Sequence, residues 1–89
     1  MENQDETTAA QLAVYTANRA EDLRQIATWV ALGAGFDKAE VDPEVADCEA
    51  SFYERAETAT DLIDVEEQYD YILDLWIRFV RRAYKNQSL

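Results

Sequence analysis

The segment "DPEVADCEASFYERAETATDLIDVEEQYD", from Asp42 to Asp70, holds eleven carboxylates against one base, Arg55. Carboxylates in such a row can hold a divalent cation, or they can present a field of negative charge to a basic partner. The rest of the chain narrows the choice. There is no His among the 89 residues, so no Ser/His/Asp or Cys/His constellation can form. Cys48 is the only cysteine, which leaves no internal disulfide and no Cys pair or Cys/His set for zinc. It lies near an apolar face with no basic neighbour to lower its pKa, and is expected to be a small core residue. A Gly-rich phosphate loop is also missing.

Within the acidic segment, "ERAE" (Glu54, Glu57) and "EQYD" (Glu67, Asp70) resemble the ExxE and ExxD pairs with which all-helical nucleotide pyrophosphohydrolases of the MazG type hold magnesium. The resemblance covers about seventeen residues and implies magnesium on carboxylate oxygens. Such ligands must face one cleft, whereas helical projection sets Glu54, Glu67 and Asp70 opposite the apolar faces of their helices. Di-iron bundle sites need Glu-x-x-His, which the chain cannot supply. The expectation is therefore a non-enzyme, with no catalytic residue, no metal site and no cofactor.

The field of charge is the stronger reading. Residues 37–74 contain fourteen acids and two bases, Lys38 and Arg55, and the chain as a whole carries −11. Ordinary helical surfaces intersperse signs and gain about 0.2–0.5 kcal/mol for each i,i+4 pair, while like charges at that spacing cost a similar amount. Here that gain is mostly forgone. On a helical wheel Val45, Phe52 and Ala56 fall on one side, and Glu44, Asp47, Glu54 and Asp61 on the other, with Glu57 at the flank. Spacings of three and seven residues put carboxylates roughly 5 and 10 Å apart along the axis, a row able to imitate phosphates on a nucleic-acid strand. Glu44, Asp47, Glu54, Glu57, Asp61, Asp64, Glu67 and Asp70 are the candidate partner-binding residues. The partner expected is a basic, nucleic-acid-binding protein. Direct binding to nucleic acid or to an anionic membrane is disfavoured by the same charge.

Those acids need elements to carry them. Both glycines lie in "GAGFDKAEVDP", the one unambiguous break, and everything else reads as helix. Thr8 with Gln11 has capping-box spacing and opens a helix over about 8–33, with a seam at Leu12, Thr16, Arg19, Leu23, Ile26 and Val30. Arg19 in that seam must snorkel or find a partner, for which Glu49 is the candidate. Asp42 before Pro43 reads as the second start, with a helix over about 43–60 and an apolar face of Val45, Cys48, Phe52, Ala56 and Ala59. Thr60, Asp61 or Asp64 caps the third helix, about 64–85, with a seam at Val65, Tyr69, Ile72, Trp76, Phe79 and Ala83. A turn rather than a continuous bent helix is expected near 58–66. Residues 1–6 and 86–89 should fray.

The fold expected is all-α, one domain over 1–89: a small three-helix bundle or an elongated helical hairpin with a long first helix. In "ILDLWIRFV", Ile72 to Val80, seven of nine residues are apolar, more than one packed neighbour needs. Trp29, Leu32, Leu73 and Ile77 are candidates for an oligomer or partner interface, and a homodimer would complete so small a core. The N-terminus "MENQDETT" lacks a signal-peptide pattern, no apolar run is long enough to span a bilayer, and a reducing cytoplasm suits one free thiol.

Two functions follow from these readings. One is an inhibitor that occupies a basic nucleic-acid groove in place of phosphates. In size, acidity and helicity alone it is similar to phage-encoded anti-restriction and anti-CRISPR proteins. The other is a structural or adaptor subunit working through an apolar helical interface, the acids being a solubilising coat.

Overall fold

A computed structural model describes residues 8–88. Three helices follow one another: α1 (Ala9–Gly33), α2 (Lys38–Ala56) and α3 (Leu62–Ser88), and among the described residues there is no strand. Each helix packs on both others, so the chain is a three-helix bundle rather than an open hairpin. The direction of packing is read from cross-helix contacts. Phe52 meets Tyr69 with ring centroids 6.0 Å apart, while the earlier Val45 shares a cluster with the later Trp76, so α2 runs antiparallel to α3. Arg19 reaches Glu66 and Ala27 reaches Trp76, so α1 runs parallel to α3.

The ends of the helices are set by side chains and by one glycine. Thr8 caps α1: its Oγ1 accepts from the Gln11 N–H at 3.1 Å, and Gln11 Oε1 accepts from the Thr8 N–H at 2.9 Å. At the other end Gly35 takes φ 98°, a left-handed conformation that a side chain would strain. The Phe36 N–H then donates to the Ala31 carbonyl at 3.2 Å and the Gly35 N–H to Leu32 at 3.0 Å, the Schellman pattern.

The second helix begins at Lys38, not at Pro43. Asp37 is its N-cap, and the Asp37 N–H donates to Glu40 Oε1 at 3.4 Å. Phe36 just before the cap and Val41 four residues into the helix join one apolar cluster, a staple that fixes the entry of the chain. The Asp42-Pro43 signal is genuine chemistry for a helix start, but the staple and Asp37 add an earlier turn. Pro43 then lies inside the helix, where it cannot donate to the Ala39 carbonyl. Both residues are exposed, so water can serve that carbonyl. Replacing Pro43 by Ala restores the bond. An interior Pro costs about 3 kcal/mol relative to Ala, less about 1 kcal/mol for the freer unfolded chain, so P43A should stabilise the fold by about 2 kcal/mol in urea unfolding. A neutral or destabilising result would return Pro43 to the first turn.

The second helix ends at Ala56 rather than near 60, and a turn follows. Asp61 Oδ1 accepts from the Asp64 N–H at 2.9 Å, and Asp64 Oδ2 accepts from the Thr60 N–H and hydroxyl at 3.2 and 3.1 Å. All three candidate caps are thus used together. The third helix continues through residues 86–88, which were expected to fray, while 1–6 and Leu89 lie outside the described residues.

The core has two clusters. Ala20, Leu23, Phe52, Ala56, Val65, Tyr69 and Ile72 form the first; Ala27, Ala31, Val41, Val45, Trp76 and Val80 form the second. Half-buried Cys48 packs against both. In α1 the buried stripe is Thr16, Ala20, Leu23, Ala27 and Ala31, rotated from the expected seam, so that Leu12, Arg19, Ile26 and Val30 are only half buried. The reason is steric: a helix wedged between two others approaches both most closely through alanines, and its larger side chains fill the flanks. In α3, Val80 is buried and Phe79 is 49% exposed, again a shift of the stripe by one residue.

Candidate functional site

The carboxylates expected to act together are distributed by the bundle over several places. Glu44 and Asp47 stand on one wall of a groove between α2 and α3, with Cys48, Ser51, Ile72, Leu75, Trp76 and Phe79 as its floor and far wall. The groove continues past Glu40, Phe36 and Val80 toward Ala83. Glu54 and Glu57 line a different depression, between α1 and α2, beside Leu12, Ala13 and Tyr53. Asp61 and Asp64 are occupied with capping α3. Glu67 and Asp70 are exposed on α3 and border neither groove.

Little positive charge reaches these acids. Among the described residues the ion pairs are Arg19 with Asp22 and Glu66, Arg24 with Glu21, Lys38 with Asp42, and Arg78 with Asp74. Glu40, Glu44, Asp47, Glu54 and Glu57 take part in none of them. Arg55, the one base in the segment, turns away to α3: its Nε donates to Gln68 at 2.8 Å and its guanidinium lies over the Tyr71 ring, 4.2 Å from the centroid. The unpaired row on α2 therefore keeps its field.

Among the described residues no three Asp, Glu or Cys side chains converge to hold an ion, and the depression that Glu54 and Glu57 line includes neither Glu67 nor Asp70.

The polar cluster that does form is structural. Arg19 pairs with Glu66 rather than Glu49: its Nε donates to Glu66 Oε2 at 2.8 Å, Nη2 to Oε1 at 3.2 Å, and Nη1 to Asp22 Oδ2 at 2.9 Å. Its guanidinium also lies 3.8 Å from the Tyr69 ring centroid, and the Tyr15 hydroxyl donates to Glu66. Glu49 belongs to another helix and does not reach this groove; α1 and α3 settle the charge between themselves. Burial pulls the Arg19 pKa down, but the Glu66 carboxylate, with Asp22, more than offsets it and holds the group firmly cationic. The hydrogen bond to Glu66 raises the Tyr15 pKa, and burial raises that of Tyr69.

The Cys48 thiol is pushed up to about 11, chiefly by burial and then by Glu49. At neutral pH it is a protonated, poor nucleophile, as its place between the two core clusters suggests.

The apolar candidates also part company. Trp29 is 75% exposed, pointing away from the core, and borders a hollow with Arg19, Ile26 and Tyr69 between α1 and α3. Leu32 is exposed, whereas Leu73 and Ile77 are half buried. Leu75 and Phe79, one turn apart on the α2 side of α3, are more exposed than Leu73 and Ile77. Sequence reasoning placed Phe79 in the core and left Glu40 out of the acidic row. Starting α2 at Asp37 supplies the missing signal, since Glu40, Glu44 and Asp47 then fall at four- and three-residue spacing on one helix. No described helix is long and apolar enough to cross a membrane. Comparison with protein-family models, with curated proteins and with solved structures finds no match to this chain.

Proposed function

We propose that this chain is a non-enzymatic protein-binding protein, whose acidic α2 surface engages a basic, nucleic-acid-binding partner and blocks it by standing in for phosphates. The single observation that supports this reading is that the α2 carboxylates Glu40, Glu44, Asp47 and Glu54 are all exposed and without ion-pair partners among the described residues. Concentrated unpaired charge steers a basic partner at long range and costs the fold a few tenths of a kcal/mol per like-charged pair.

The test is capture of partners from a cell lysate on immobilised protein, at low and high salt. A retained nucleic-acid-binding protein should be released as salt rises through a few tenths molar and should be competed off by duplex DNA or RNA. The triple variant E44K/D47K/E54K should lose that capture with its helical circular dichroism unchanged, since all three positions are exposed. Retention that salt, nucleic acid and the triple variant all leave intact would sink the reading.

Exposed Trp29 supports a second reading, an adaptor that works through an apolar surface with the acids as a coat. In that case W29E or I77E would abolish assembly, and the triple charge reversal would leave it unaltered.

A further inference from the structure

The α2–α3 groove asks for an occupant of particular chemistry. Its floor and far wall are apolar, with Leu75 42% and Phe79 49% exposed, and its near wall carries Glu40, Glu44 and Asp47. A helix with an apolar stripe flanked by bases satisfies both walls at once. One such helix is present in this chain. The second half of α3 carries Leu75 and Phe79 in its stripe and Arg78, Arg81, Arg82 and Lys85 around it. Arg82 lies two turns beyond Leu75 on the same flank, and among the described residues it has no ion-pair partner.

We infer that the groove is filled by α3 of a second copy, in a two-fold dimer where the two α3 helices cross antiparallel at Leu75 and Phe79. The register follows from symmetry. If Leu75 of one copy faces Phe79 of the other, Arg82 faces Ile72 of the second copy. Ile72 shares the groove with Asp47, because α2 runs antiparallel to α3 and lines its other wall. The unpaired Arg82 of each copy is thereby delivered to the unpaired Asp47 of the other, and two equivalent contacts form, as a two-fold interface requires. Leu75 and Phe79 leave water in the same step, and the two α2–α3 pairs become a four-helix layer with α1 on either outer side.

This inference is independent of the proposed function, although a basic partner would contend with the second copy for Glu44 and Asp47. Failure of one does not entail failure of the other: the mass of the protein alone reads the dimer, and salt-sensitive capture of a partner reads the function.

The experiment is sedimentation equilibrium of the full chain from micromolar to millimolar concentration. The expected result is reversible association to twice the 10.2 kDa chain mass. D47R and R82D, both on exposed side chains that leave the core untouched, should each weaken association by about tenfold or more, and D47R/R82D should recover most of that loss by exchanging the partners. L75E/F79E should be monomeric, with helicity checked by circular dichroism. A wild-type chain that stays at 10.2 kDa throughout overturns the inference. So does a dimer indifferent to D47R and R82D, or one abolished by W29E while L75E/F79E leaves it intact.

Discussion

Truncating Phe52 to Ala should cost about 3–5 kcal/mol, enough to leave a chain of this size close to unfolded at 37 °C. Phe52 is fully buried and is the largest side chain among the described residues with no exposed surface. It contacts both neighbouring helices through the first core cluster and meets the Tyr69 ring edge-on, with an interplanar angle of 88°. Removing the ring takes away its transfer energy and leaves a cavity that three rigid helices cannot close. The aromatic pairing adds about 0.5–1.5 kcal/mol beyond area. For a domain of this length each kcal/mol moves the midpoint by about 4–8 °C, so thermal unfolding should fall by upwards of about 12 °C. Phe52→Leu keeps most of the volume and should cost roughly 1–2 kcal/mol. A loss below about 1 kcal/mol for F52A would mean that this ring is not the keystone of the first cluster.

Trp76 should behave similarly in the second cluster, with an optical signature of its own. Its indole N–H donates to the Ala27 carbonyl at 2.9 Å, a buried link between α3 and the C-terminal half of α1. Trp76→Ala should cost about 3–5 kcal/mol through lost packing. Trp76→Phe should cost only about 1–2 kcal/mol, because the Ala27 carbonyl still accepts from the helix backbone and no polar group is stranded. The chain has two tryptophans, one buried and one mostly exposed. Trp76→Phe should therefore leave the red-shifted emission of Trp29 alone, and Trp29→Phe the blue-shifted emission of Trp76. Equal emission maxima for the two variants would contradict the burial of Trp76.

The helical class, the break at the glycines and the turn before α3 could all be read from the residues, because each rests on local chemistry. Thr8 with Gln11, Gly35 with its positive φ, and Asp61 with Asp64 act within one turn of chain. What escaped were facts about neighbours. The start of α2 moved because Phe36 and Val41 bury together, and a proline that is ideal for a first turn is tolerated one turn later. The stripe of α1 rotated because Ala20, Ala27 and Ala31 are valuable for their smallness, which a hydrophobicity pattern undervalues. The acidic segment was seen as one face, yet α2 borders α3 along one flank and α1 along the other, and its acids divide between the two. Glu44 and Asp47 went to one groove and Glu54 and Glu57 to another, a division that only the packing of α1 and α3 decides.

Cys48 packs against both core clusters. It is the side chain that joins the block around Phe52 and Tyr69 to the block around Trp76 and Val41. Amide exchange measured along each helix would show whether the block around Trp76 and Val41 opens separately from the block around Phe52 and Tyr69. Separate opening at the Trp76 end would let the α2–α3 groove adjust to an occupant while the Phe52 end keeps its packing.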